Sequence, residues 1–386
     1  MKIMILPLLA IFVGCASSSS TLDLEAFSVV EYEPRYASGF CVVSDPSSGA
    51  RLLKILKPWQ GAAENNHHLL MVSGGEVPPV GYDGALLDSP ARRVVALSSS
   101  SVAMFDAIER VEAVVGVSGI EYISNRGVQE SFARGQLLDI GYGSNLNFEA
   151  IMVLRPDLVI LYGVAGEDVG VTSKLRELGI QYIYVGDYAE ESPLGKAEWL
   201  VAIAQICGDM EMGVERFGDI EQRYVELRDS IGSAQLLSQG VRPRVMLNTP
   251  YRDIWYMPSS NSYMVRLIED AGGDYIYDGN ATSSTKPISL ESAYTLVAEA
   301  DVWLNLGAST TTAEALSSQN PLFAEMDVVE RGEIYNTTAR MTPAGGSDFW
   351  ETGVVRPDLV LGDLAAILRR DTTQIDSSLY FYRRLR

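Results

Sequence analysis

Residues 146–163 read LNFEAIMVLRPDLVILYG. Asn147 caps a helical turn or two running from Phe148 to Leu154, and Glu149 stands two positions after the cap. Leu158-Val159-Ile160-Leu161 then forms a strand with no polar residue in it. A strand that is apolar throughout is covered on both faces, which is the condition of a parallel strand in an α/β layer.

The same alternation extends in both directions. Upstream, Val94 to Leu97 is a strand followed by Ser98 to Ser101 and an apolar helix through Ile108, and Val114 to Val117 is a second strand. Downstream, Val171 to Leu178 is helical, stops at Gly179, and leads to the strand Tyr182 to Val185. After Pro243 the pattern resumes. Arg244 to Leu247 and Val302 to Leu306 are strands; Ser262 to Asp270, Ser289 to Ala298 and Pro357 to Arg369 are helices. Between the two runs lies a long helical zone. Leu200, Ile203, Ala204 and Cys207 share one face, a break falls near Gly208, and Val214, Phe217, Ile220, Tyr224, Leu227 and Ile231 follow at steps of three or four. The expected architecture is α/β: two lobes with mostly parallel sheets, residues 91–192 and 239–386, joined by a long rigid backbone helix region over 193–238. The lobes echo each other weakly, since Ser289-Leu290-Glu291 repeats the cap-then-Glu arrangement of Asn147-Phe148-Glu149. Residues 22–90 hold short apolar pieces between Gly, Pro and Asn turns and read as a small β-rich extension.

The first 14 residues have the form of a secretory leader. Lys2 precedes the apolar run Ile3 to Val13, which has the length of a signal-peptide core and not of a bilayer span. Gly14-Cys15 at its end resembles a bacterial lipobox, so Cys15 is the expected lipidation site, residues 15–21 its Ser-rich tether, and the protein an extracytoplasmic one held to a membrane by lipid. A formal net charge of −20 argues against nucleic acid as a partner. Cys41 and Cys207 are too few and too far apart for a disulfide framework. His67 and His68, the only histidines, point to opposite faces of a strand, so no site for a bare metal ion is expected. No nucleophile elbow, phosphate-binding glycine loop or zinc-protease helix is present, and the chain is not expected to be an enzyme.

Residues 92–118 (RRVVALSSSSVAMFDAIERVEAVVGVS), 146–163, 186–208 (GDYAEESPLGKAEWLVAIAQICG) and 259–277 (SSNSYMVRLIEDAGGDYIY) together resemble the helical-backbone, class III solute-binding proteins that serve ABC importers of iron–siderophore, haem and cobalamin complexes. The resemblance implies capture of an intact metal chelate in a cleft between the lobes, with no cofactor of the protein's own. An iron chelate, siderophore or haem, is the leading cargo; a corrinoid is the alternative; a surface enzyme or adhesin on the same fold is the reading from another class. The resemblance also implies that Glu149 and Glu291, one per lobe, dock on arginines of the permease dimer. In open α/β sheets ligands lie beyond the carboxyl ends of the strands. There the sequence places Ser99, Ser100, Tyr122, Tyr142, Tyr162 and Tyr188 in the first lobe, and Tyr251, Arg252, Trp255 and Trp303 in the second. Aromatic rings grip a flat chelate with large area and little lost rotamer freedom.

Overall fold

The computed structural model describes residues 22–62, 67–71, 77–78, 80–164, 166–238, 241–279, 284–369 and 378–386. The leader, Cys15 and the serine tether lie outside them.

The extension forms a sheet of its own in sequential order: β1 (Val29–Tyr32), β2 (Phe40–Ser44), β3 (Arg51–Ile55), β4 (His67–Met71) and β5 (Ala85–Leu87). Its pairs are antiparallel except the last. Successive residues face opposite sides: Val42, Leu53 and Leu69 join the main core, while Val43, Leu52 and Leu70 pack on Leu22 and Phe27.

The first lobe runs β6 (Val94–Ala96), α1 (Ser99–Ala107), β7 (Val114–Val117), α2 (Arg126–Ala133), β8 (Leu138–Asp139), α3 (Phe148–Leu154), β9 (Leu158–Tyr162), α4 (Val169–Glu177) and β10 (Tyr182–Val185). Its strands lie in the order β10-β9-β6-β7-β8, all parallel.

Two helices follow, α5 (Pro193–Ile206) and α6 (Met210–Ser238). Every residue of α5 is buried. The sequence shows one apolar face on this helix, but Glu198 and Lys196 on the other side are buried as well because each finds polar partners. The break is at Gly208, whose φ of +75 suits glycine. The two helices then pack against each other, and Gly213 lets them approach: a Cβ there would stand 2.5 Å from that of Ala204.

The second lobe comprises β11 (Arg244–Leu247), β12 (Ile254–Met257), α7 (Tyr263–Asp270), β13 (Asp274–Tyr275), β14 (Lys286–Ser289), α8 (Leu290–Ala298), β15 (Val302–Leu304), α9 (Ala313–Gln319), α10 (Asp327–Glu330), β16 (Ile334–Asn336), α11 (Thr352–Val355), α12 (Pro357–Arg369) and β17 (Arg383–Arg384). Its sheet, β13-β11-β15-β16-β17, is parallel but for β17, and β12 pairs with β14 apart from it. One apolar cluster runs from Phe40 in the extension through β6 and α5 to Phe217 on α6, Val245 on β11 and Leu364 on α12. Cys41 and Cys207 are both free thiols. Burial pushes the Cys207 thiol up to about 12. No helix among the described residues is long and apolar enough to cross a membrane.

Candidate functional site

Three parallel strands that are neighbours in the second lobe, β11, β15 and β16, each give way to an asparagine: Asn248, Asn305 and Asn336. Asn248 and Asn305 hold left-handed backbone, φ +66 and +60, a conformation asparagine tolerates. All three line a cavity of about 580 Å³, within the usual range for small-molecule sites. Ser259, Ser262, Thr337, Thr338 and Ser347 add hydroxyls to the same wall. Ser262 Oγ and Thr338 Oγ1 are buried with no partner among the described residues.

The aromatic part of the lining is Trp59, Tyr188, Tyr263 and Trp350. Lys196 on α5 fixes two of them from behind. Its ammonium lies 4.8 Å from the Tyr263 ring centre and 5.7 Å from that of Tyr188. The same group donates to the Asp187 carbonyl at 3.0 Å and stands 3.7 Å from the Asp187 carboxylate. A buried cation satisfied in this way is a fixture of the wall and not a free charge. Lys57 is the only cationic residue lining the cavity among the described residues, and it donates to Ser38 Oγ at 3.0 Å. Glu190 also borders the cavity, but it accepts the Ser38 and Gly39 backbone N–H groups and the Trp199 indole N–H. Burial holds its carboxyl above the usual carboxylate range, against the pull of those hydrogen bonds.

Of the expected ligand contacts named above, Tyr188 alone lines this cavity. Trp255 and Trp303 must be corrected. Both are 0% exposed. They stack on each other at 5.6 Å, and their indole N–H groups donate to the carbonyls of Leu247 and Asn248. These two positions point into the layer between sheet and helix, where Phe323 closes over them. Ser99 and Ser100 start α1. Ser99 Oγ donates to the Trp350 carbonyl of the other lobe at 3.4 Å, and Ser100 is buried against Ser98. Tyr122 packs on Tyr142 at 5.1 Å, and its carbonyl is crowded by Gly346, where a Cβ would come within 2.1 Å. The Ser99 hydroxyl and the Tyr122 backbone therefore meet the second lobe directly, while the Tyr122 ring stays exposed. Tyr162 lines a second cavity of about 530 Å³ with Leu97, Ser118, Gly143 and Tyr184. Tyr251 and Arg252 are exposed on the turn before β12, with the guanidinium 5.2 Å from its neighbour's ring centre.

The sequence reading reached Asn305, within the candidate stretch Trp303 to Leu306, and Trp350, but missed Asn248 and Asn336, although each directly follows or ends a short strand: RVMLN, IYN. Lys57 and Trp59 carried no signal, lying in a turn without periodicity.

Glu149 and Glu291 are both exposed in the first turn of their helices, α3 and α8. The caps are as read: Asn147 accepts from the Ala150 N–H and Ser289 from that of Ser292. No hydrogen bond or ion pair with another described residue occupies either carboxylate. Among the described residues, no group of three or more His, Cys, Asp or Glu side chains is placed to hold a metal ion.

The sequence matches the periplasmic binding protein family over residues 94–341, and the chain belongs to that family. Its relatives include an uncharacterized lipoprotein of Methanocaldococcus jannaschii, 28% identical over 300 residues, covering 75% of this chain and 68% of the relative. A protein named as cobalamin-binding in Halobacterium salinarum is 27% identical over 261 residues, 67% of this chain and 65% of that one. Among solved structures, one described as a possible iron-binding, periplasmic solute-binding protein of Staphylococcus epidermidis superposes with a TM-score of 0.54 at 17% identity. It covers 73% of this chain and 100% of its own, and at that identity establishes a shared fold alone.

Proposed function

We infer that this chain is the extracytoplasmic solute-binding component of an ABC importer for a metal chelate, with a corrinoid as the cargo. The lining of the cavity carries the choice. Among the described residues it offers the amides of Asn248 and Asn305, hydroxyls and the aromatic side chains of Trp59, Tyr188, Tyr263 and Trp350, with Lys57 as the one cation; the amide of Asn336 is spent on the Gly307 and Thr310 carbonyls and the Thr337 N–H. Amides and hydroxyls pair with the neutral amide arms of a corrinoid, and the rings offer area to a flat macrocycle. A haem or an acidic siderophore brings carboxylates or other anions that want several cations around them. The cobalamin-binding name of the Halobacterium relative supports the same reading. An iron chelate is the alternative, and its anionic groups would converge on Lys57.

Titration of the purified protein with cyanocobalamin, haem and a ferric hydroxamate, followed by tryptophan fluorescence, tests the cargo. Cyanocobalamin is expected to bind with Kd on the order of 1 μM or below, and mass spectrometry is expected to recover it unchanged. Tighter binding of either iron chelate would overturn the corrinoid assignment, and conversion of the ligand would overturn the binding-protein reading.

Glu149 and Glu291 are assigned to the permease. Two carboxylates, one per lobe and without a partner among the described residues, suit a dimeric receptor with basic residues at a set spacing. The double variant Glu149→Ala/Glu291→Ala is expected to abolish uptake while cargo affinity stays within about twofold. Glutamate in a first helical turn is also favoured by about 0.3–1 kcal/mol through the helix dipole alone. Normal uptake with a lowered melting temperature would leave only that role. Cys15 is assigned the lipid, and Cys15→Ser is expected to move the protein from the membrane fraction into the medium or periplasm.

A further inference from the structure

The extension lies outside the matched family region, which begins at residue 94. The Staphylococcus structure is matched over its whole length by 73% of this chain. The extension sheet is nevertheless fastened to the centre of the molecule with polar bonds that cost desolvation. Glu198 in α5, 0% exposed, accepts the backbone N–H groups of Arg35, Tyr36 and Ala37 and the hydroxyl of Tyr32. Glu190 takes those of Ser38 and Gly39. The Gly39 carbonyl in turn accepts the N–H of Leu56 at 2.7 Å and that of Lys57 at 3.3 Å. The pinned segment thus holds the turn at residues 57–62.

That turn reaches the functional site. Lys57, Trp59, Gln60, Gly61 and Ala62 line the cargo cavity. The first lobe has left room for them: a Cβ at Gly186 would come within 2.1 Å of the Lys57 carbonyl, and one at Gly163 within 3.0 Å of the Trp59 side chain. The Trp59 ring stands edge-on to Tyr184 with centres 5.1 Å apart, and the Gln60 N–H donates to the Val164 carbonyl at 3.4 Å. Tyr184, Gly163 and Val164 all line the second cavity, the one that holds Tyr162. Trp59 therefore stands between the two.

We propose that residues 57–62 of the extension form a third wall of the cargo site, in which Trp59 confines the cargo to the asparagine-lined cavity and keeps it from the strand ends of the first lobe. The proposal rests on the chelate-binding reading above. It explains why Tyr162, at the end of β9, faces a separate cavity and not the cargo site.

The test uses the whole mature chain and cyanocobalamin. Trp59→Ala is expected to weaken binding about tenfold, the loss of one aromatic wall, and Trp59→Phe less than about threefold. Val169→Trp, which adds bulk to the lining of the second cavity, is expected to leave the affinity within about twofold. Binding by Trp59→Ala within twofold of the parent overturns the proposal and leaves the cargo reading intact, and so does a Val169→Trp loss as large as that of Trp59→Ala. If the parent chain binds neither cyanocobalamin nor haem, the cargo reading falls. The wall is then judged without ligand, by hydrogen exchange. Faster exchange of the amides of residues 161–164 in Trp59→Ala supports a packed partition, and unchanged exchange overturns it.

Discussion

At the scale of single residues, Glu351 carries the clearest consequence. It immediately precedes α11 and is 1% exposed; its Oε2 accepts the Ser124 N–H of the other lobe at 2.7 Å, while its Oε1 has no partner among the described residues. Burial raises its carboxyl to about 7, with the charges of Asp348 and Asp106 adding to the effect and the Ser124 and Asn125 N–H groups opposing it. The folded protein therefore holds a proton that the unfolded chain, with an ordinary glutamate, releases near pH 4.3. Stability from this group is fully present below about pH 4 and is lost as pH rises through 7. The loss is on the order of 3 kcal/mol. Urea midpoints at pH 5 and pH 8 are expected to converge in Glu351→Gln relative to the parent. An equal pH dependence in both would mean that Glu351 is ionised when folded. The other raised carboxyls, Glu190 and Asp363, shift the parent and the variant alike, so the difference isolates this position.

At the scale of elements, the helix pair α5–α6 is set by glycine spacing. Gly213 stands where a Cβ would meet Ala204 at 2.5 Å and the Val201 Cα at 3.1 Å, whereas at Gly218 nothing lies within 4 Å. Gly213→Ala is expected to cost about 1–3 kcal/mol by forcing the helices apart. Gly218→Ala is expected to gain up to about 1 kcal/mol from helix propensity. Thermal melts of the two variants moving in the same direction would contradict the packing described. A larger loss is expected from Glu198→Ala. It strips four donors in the extension of their acceptor, at about 1–3 kcal/mol for each group that water does not reach. Limited proteolysis within residues 29–62, fast in the variant and slow in the parent, is the readout.

The strands readable in the sequence were those with three or four consecutive apolar residues, such as Leu158 to Leu161. Ile334–Asn336, of three residues, and Asp274–Tyr275, of two, are too short to carry a period and owe their strand state to the neighbours that pair with them. Helix caps were legible because the signal is local: Asn147 and Ser289 need only the next few residues. Ligand walls were not legible, because a tryptophan at a strand end meets solvent, cargo or helix according to which face it takes. Trp303 took the helix face, while Trp59, in an unremarkable turn 244 residues earlier in the chain, took the cavity.

At the scale of the whole molecule, the continuous apolar cluster argues against lobes that melt separately. Phe40, Leu200, Phe217, Val245 and Leu364 belong to one body that spans the extension, both helices and both lobes. Calorimetry and fluorescence are expected to report one coincident transition, and two resolved transitions would show that the extension or a lobe unfolds alone. The net charge of −20 also bears on docking. Under the proposed docking of Glu149 and Glu291 on a basic receptor face, association is expected to slow steeply as salt rises, while affinity for the proposed neutral cargo is expected to change little.

The joint at Gly208 adds a mechanical constraint. A Cβ there would lie 2.6 Å from the Pro90 ring, and the Ala91 N–H caps the Ile206 carbonyl at 3.0 Å. The elbow of the strut is therefore blocked by the peptide that leads out of the extension sheet into β6. A swing of α6 about that elbow must first dislodge residues 90 and 91. Motion between the lobes is thus steered toward slight flexing along the helix pair, with the elbow itself staying shut.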